Sequence, residues 1–116
     1  MSSEKMSLND WCKESYEVSK SKGWHDNADS DNYFNKLLLI HAEVSEVVEE
    51  LRKGMAITDV YDSTNGKPEG PAIEIADIAI RLFDLCGKAG LDLDAAVRIK
   101  TQYNKTRPHR HGGKVI

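Results

Sequence analysis

Residues Pro71 to Ala89 carry more apolar side chains than one face of a helix can hold. At about 100° per residue, Ile73, Ile75, Ala76, Ile78, Ala79, Ile80, Leu82, Phe83, Leu85 and Cys86 cover roughly three quarters of the circumference. The charged residues Glu74, Asp77, Arg81, Asp84 and Lys88 share the one narrow sector left. A helix of this kind must be buried on several sides. A chain of 116 residues has room for one domain, and a few short helices cannot wrap such a segment alone. The expectation is an all-α, four-helix bundle-like protomer that assembles into a homodimer or a dimer of dimers, a homotetramer.

Three further helices read out around it. The first spans about Leu8 to Lys22, with Ser7 as N-cap and Gly23 as its stop. The second begins near Asn32, after the capping cluster Asp29-Ser30-Asp31, and runs to Lys53 before Gly54. A linker from Met55 to Gly70, rich in Asp, Ser, Asn, Gly and Pro, holds the turn signal Asn65-Gly66. Pro71 suits a first helical position for the third helix, which ends before Gly90. Asp92 caps the fourth, running to about Asn104, and Pro108 ends any continuation. No strand is expected. In the second helix Leu37, Ile40, Val44, Val47, Val48 and Leu51 form the expected core stripe, while Glu43, Glu46 and Glu50 form an acidic strip on its shoulder.

The acidic residues fall into two pairs that matter, Glu43-Val-Ser-Glu46 and Glu74-Ile-Ala-Asp77, each i, i+3 on one helix face. Packed face to face, the two helices would bring four carboxylates together. Like charges that close need a cation, and a hard divalent ion with oxygen ligands is the usual one. The same residues admit a plain reading as a solvated acidic face, with Asp77 paired to Arg81 at i+4. The pairs Glu14/Glu17 and Glu46/Glu49 show that acidic spacing alone is common in this chain, and no function is assigned to them. What sets the second pair apart is its place in the only polar sector of a nearly buried helix, where an idle carboxylate costs free energy.

Charge is unevenly spread. From Arg98 onward there are six basic residues and no acidic one, so the first 97 residues hold 10 basic against 19 acidic, a balance of −9. An acidic body with a basic tail (about 105–116) suits metal on one side and an anion on the other. Cys12 and Cys86 show no metal-ligand or redox spacing, Cys86 reads as a small buried hydrophobe, and a reduced cytoplasmic setting is the default expectation. The polar stretch Met1-Ser-Ser-Glu-Lys lacks a signal-peptide core, and no apolar run is long enough to span a membrane.

With these residues in view, Glu43-x-x-Glu46, 27 intervening residues and Glu74-x-x-Asp77 resemble the E-x-x-E…E-x-x-D signature of the MazG-like all-α nucleoside triphosphate pyrophosphohydrolases. The flanks agree: Leu37-Leu-Leu-Ile-His-Ala42 before the first pair, Leu51-Arg-Lys-Gly54 after it and Lys67-Pro-Glu-Gly70 before the second. The ending Tyr103-Asn-Lys-Thr-Arg-Pro-His-Arg-His-Gly-Gly113 is similar to that of small single-domain members from phages and mobile elements. The resemblance covers about Leu37 to Lys114. It implies hydrolysis of a (deoxy)nucleoside triphosphate to monophosphate and pyrophosphate, as nucleotide-pool house-cleaning. It implies Mg²⁺ (Mn²⁺ as a substitute) on Glu43, Glu46, Glu74 and Asp77. Glu46 and Glu50, whose wheel positions point the same way, are the candidates for the base that takes a proton from water.

The resemblance also carries Lys100 and Asn104, i and i+4 on the fourth helix, to phosphate and sugar or base. Lys105, Arg107, Arg110 and His111 could add charge-assisted bonds to the triphosphate. The alternative for each is a solvated basic terminus, and a nucleic-acid tail is the weaker reading because the body is acidic. Trp24 and Phe34, beside the acidic helix, are the candidates for stacking a base, with plain core packing as the alternative; Trp11 is expected in the core. His25 and His41 read as surface or satisfied histidines, since no zinc spacing exists. Other readings are a dimeric dUTPase-like or phosphoribosyl-ATP pyrophosphohydrolase of the same superfamily, and a non-enzymatic helical interaction module. P-loop glycines are absent, against an ordinary ATPase.

Overall fold

The computed structural model describes residues 5–116; the first four residues of the polar amino-terminal stretch lie outside them. The helices are α1 (Leu8–Ser21), α2 (Tyr33–Arg52), α3 (Pro71–Ala89), α4 (Leu93–Thr106) and a short α5 (Arg110–Gly113). The all-α expectation holds. Among the described residues no helix is long and apolar enough to cross a membrane.

Local chemistry explains where the elements begin. Ser7 and Asp10 form a reciprocal capping box, Ser7 Oγ accepting from the Asp10 amide at 3.1 Å and Asp10 Oδ2 from the Ser7 amide at 3.0 Å. Asn32 caps α2 by accepting from the Asn35 amide at 2.9 Å. Asp92 does the same for α4 from the Ala95 amide at 3.0 Å. The linker contains what the sequence reading omitted, a two-residue antiparallel ladder of β1 (Tyr61–Asp62) and β2 (Pro68–Glu69), with Asn65-Gly66 in the connecting turn. Four strand residues give no periodicity to detect, so the turn signal was their only trace. Pro108 interrupts the helix, yet α5 follows it, bent by non-helical backbone at His111 and Gly112.

Both α1 and α2 pack on α3, which is the centre of the protomer. Cys12 of α1 and Cys86 of α3 are buried and free, and burial raises the Cys12 thiol to about 11. α4 docks on α1 through their amino-terminal ends. Asp94 accepts from the Leu8 and Asn9 amides at 3.3 and 3.1 Å, while Asn9 donates to Asp92 at 2.8 Å. The predicted core stripe of α2 is a correction. Only Val47 is buried, whereas Leu37, Val44, Val48 and Leu51 are 47, 45, 49 and 38% exposed. The reason is that, among the described residues, α2 packs substantially on α3 alone, so its other faces stay uncovered. Trp11 likewise remains 36% exposed instead of entering the core.

The approach of α1 to α3 needs a residue without a side chain at Gly87, where a Cβ would collide with the Cys12 carbonyl oxygen and come within 2.6 Å of Tyr16 Cβ. Gly87→Ala is expected to destabilise the protein by about 1–3 kcal/mol despite the better helix propensity of alanine, because overpacking outweighs it. Urea unfolding checks this; an unchanged midpoint would mean that the two helices are not so closely packed.

Candidate metal and nucleotide site

α2 and α3 run antiparallel, so the end of α2 lies beside the start of α3. Glu46, Glu49, Glu50, Ser45, Lys53 and Glu74 line a cleft of about 310 Å³ there. Glu50 Oε2 and Glu74 Oε2 are buried there without a hydrogen-bond partner. Burial raises the Glu74 carboxyl to about 7, helped first by the close approach of Glu50, then by the charges of Glu46 and Glu43. The turn before α3 is tight. Gly70 has φ 116°, a conformation open to glycine, and a Cβ there would meet the Asp59 carbonyl oxygen at 2.5 Å.

The four predicted metal-binding carboxylates are not equivalent. Glu46 and Glu74 face this cleft. Glu43 is held by Arg81, whose Nη2 lies 3.1 Å from Glu43 Oε1. Arg81 thus bridges α3 to α2, where the sequence reading paired it with Asp77 along its own helix. Asp77 is exposed and lines a second, larger cleft of about 740 Å³, together with Arg81, Asp84, Lys36, Trp11 and Trp24. Among the described residues no three His, Cys, Asp or Glu side chains close on one metal-holding point. The two orphaned oxygens and the raised Glu74 carboxyl mark oxygen donors that the protein itself leaves without a partner, the donor type a hard cation takes.

One member of this neighbourhood was missed by the sequence reading. Tyr61, at the start of the hairpin, has its phenol pushed upward by burial and then by the charges of Glu69, Glu50 and Glu74. The turn signal in the linker could have suggested a hairpin, but not that it folds back over the acidic end.

Of the two base-stacking candidates, Trp24 lines the larger cleft and is 75% exposed, whereas Phe34, 83% exposed, lines neither cleft. The predicted phosphate-binding residues Lys100, Asn104, Lys105, Arg107 and Arg110 lie on or after α4, which meets α1 near the amino-terminal ends of the two helices, and none of them lines either cleft. Lys100 and Arg107 instead stand over the Tyr103 ring at 4.9 and 5.6 Å. His25 is a buried, satisfied histidine and His41 is exposed, both within the two readings given for them. No family model, curated protein or solved structure matches the chain.

Glu74 keeps its proton to about pH 7 in the fold, against 4.5 ordinarily. Between these values the native state binds more protons than the unfolded one, so stability falls as pH rises and levels off above 7. The loss is expected to be about 1–3 kcal/mol. Without divalent ions, Glu74→Gln is expected to flatten that slope and to exceed the wild type in stability at pH 8. Urea unfolding from pH 5 to 8 tests it, and an identical slope in the variant would remove Glu74 as the strained group.

Proposed function

We propose that this protein is a Mg²⁺-dependent (deoxy)nucleoside triphosphate pyrophosphohydrolase of the MazG-like kind, serving nucleotide-pool house-cleaning. The observation that supports this most is the pair of buried, partnerless carboxylate oxygens of Glu50 and Glu74 beside Glu46. A protein stabilised by its carboxylates alone would have paired or solvated them. Glu46 and Glu74, which line this cleft, are the residues that would hold the metal, with Glu43 and Asp77 on neighbouring turns joining them only as the family resemblance implies.

When bound, Mg²⁺ supplies charge neutralisation to the triphosphate and acidifies water in its coordination shell. Glu50 is the better placed of the two candidate bases, since its free oxygen is buried in the cleft whereas Glu46 is exposed. It accepts the proton as water oxygen attacks the α-phosphorus and pyrophosphate leaves. Arg81, which lines the larger cleft, holds Glu43 across the α2–α3 contact. The larger cleft has the size of a small-molecule site and an indole on its rim, which suits a nucleoside.

The reading includes a second copy of the chain. The radius of gyration is 16.9 Å, where a compact chain of this length has about 13 Å. Its accessible surface of 8793 Å² compares with roughly 6,300 Å² for a folded monomer of this mass. The excess has the scale of an obligate homodimer interface, and Leu37, Leu38, Val44, Val48 and Leu51 supply an apolar face for it.

Two outcomes are expected. With Mg²⁺, and only then, a nucleoside triphosphate gives monophosphate and pyrophosphate by phosphorus NMR, and Glu50→Gln lowers kcat at least about 100-fold. Diphosphate plus orthophosphate would reject the proposed cut. In sedimentation velocity the chain runs at twice its 13.0 kDa mass or more, and Val48→Asp shifts it to monomer. A wild-type monomer at micromolar concentration would reject the assembly.

A further inference from the structure

The loop joining α1 to α2 (residues 22–32) is fastened by an ionic cluster at the opposite end of the α2–α3 pair from the acidic cleft. At its centre the His25 side chain is 6% exposed. Its Nδ1 lies 2.9 Å from Asp31 Oδ1, and its Nε2 lies 2.9 Å from Asp84 Oδ1 and 2.8 Å from Ser19 Oγ. Tyr16 of α1 meets the imidazole edge-on. Asp31 also receives Lys36 of α2 at 3.1 Å and Lys88 of α3 at 3.2 Å, and Lys88 donates to the Asp31 carbonyl oxygen at 2.6 Å. Burial opposes the charge on Asp31, but the donors Lys36, His25 and Lys88 outweigh it and hold the carboxyl down near 2.

Ser19, His25 and Asp31 have the connectivity of a nucleophilic triad, but the chemistry does not follow. Ser19 Oγ also lies 2.6 Å from Asp84 Oδ1, a charged acceptor that takes its single hydroxyl proton. The imidazole has a carboxylate against each nitrogen. These side chains act as struts.

What they hold is the neighbouring residue. Trp24 precedes His25, projects from the loop and lines the larger cleft, where Ser19, Lys36 and Asp84 also stand. Its own tie to the body is the backbone bond from its amide to the Ser19 carbonyl at 3.1 Å, which fixes its start but not the path of the chain after it. We propose that His25 is a positioning residue that sets Trp24 as a wall of the larger cleft by tying the loop to α1 and α3 at once. Its kinetic consequence rests on the nucleotide reading of that cleft; its structural consequence does not.

The experiment uses the full chain in a Trp11→Phe background, which leaves Trp24 as the only tryptophan of the two. His25→Ala is expected to lower the fluorescence anisotropy of Trp24, and imidazole added to the buffer to restore it. For triphosphate turnover, His25→Ala is expected to raise KM about tenfold with kcat within about threefold. Adding it to Trp24→Ala should cost nothing further, because it acts only through the indole. Asp31→Asn, which keeps an acceptor for the imidazole, is the milder variant should the alanine protein fail to fold, with a smaller change in the same direction. Unchanged anisotropy, additive effects in the double variant, or a fall in kcat at constant KM would each overturn the proposal. If the wild type turns over no triphosphate, the nucleotide reading fails separately, and the anisotropy with its imidazole rescue still decides the clamp.

Discussion

At Gly87 the backbone of α1 comes so close to α3 that no side chain fits between them, and the protomer is organised outward from this contact. It buries Cys12 and Cys86 against each other's helices and leaves the rest of α3 for α2. Because α2 returns antiparallel, its first turns meet the last turns of α3 and its last turns meet the first. Lys36 thereby comes near Asp84, and Glu50 near Glu74. α4 touches the assembly only at its edge, through side chains that satisfy free amides at the starts of α1 and α4.

The two ends of the α2–α3 pair solve opposite electrostatic problems. At one end Asp31 and Asp84 face His25, Lys36 and Lys88, so each buried carboxylate has donors and the loop is fixed in place. At the other end Glu46, Glu50 and Glu74 share a cleft with Lys53, yet Lys53 forms no ion pair among the described residues and two oxygens stay unpaired. The first arrangement is complete by itself. The second stores repulsion that a divalent cation would relieve, which is why stability and function are proposed to be coupled there through Glu74.

The apolar surface tells a related story about completeness. Periodicity in α2 and α3 marks apolar stripes, but it does not say whether the protomer itself covers them. In the protomer the stripe of α2 faces outward, and Ile75, Ile80 and Leu82 of α3 remain 40, 46 and 41% exposed. The expectation that α3 would need burial on several sides is met on the sides of α1 and α2, and the remainder is surface of the kind that a second copy would cover.

Helix starts and breaks were legible in the sequence because they depend on neighbours within a few residues: Ser7 as a cap, Pro71 at a helix start, Gly90 just past a helix end; the α2 cap instead falls on Asn32, one residue beyond the expected Asp29-Ser30-Asp31 cluster. The two acidic pairs were legible for the same reason, since i, i+3 spacing sets a shared face. Tertiary packing alone decided that Arg81 would reach across to Glu43 instead of along its own helix to Asp77, and that Glu50 and Glu74 would be buried beside one another with unpaired oxygens. It also decided that Tyr61 would stand over the acidic end and that His25 would bridge two aspartates 6 and 59 residues away. Those contacts depend on how closely and at what angle the helices pack. That geometry is set by volumes meeting at positions such as Gly87, which no local pattern of residue types encodes.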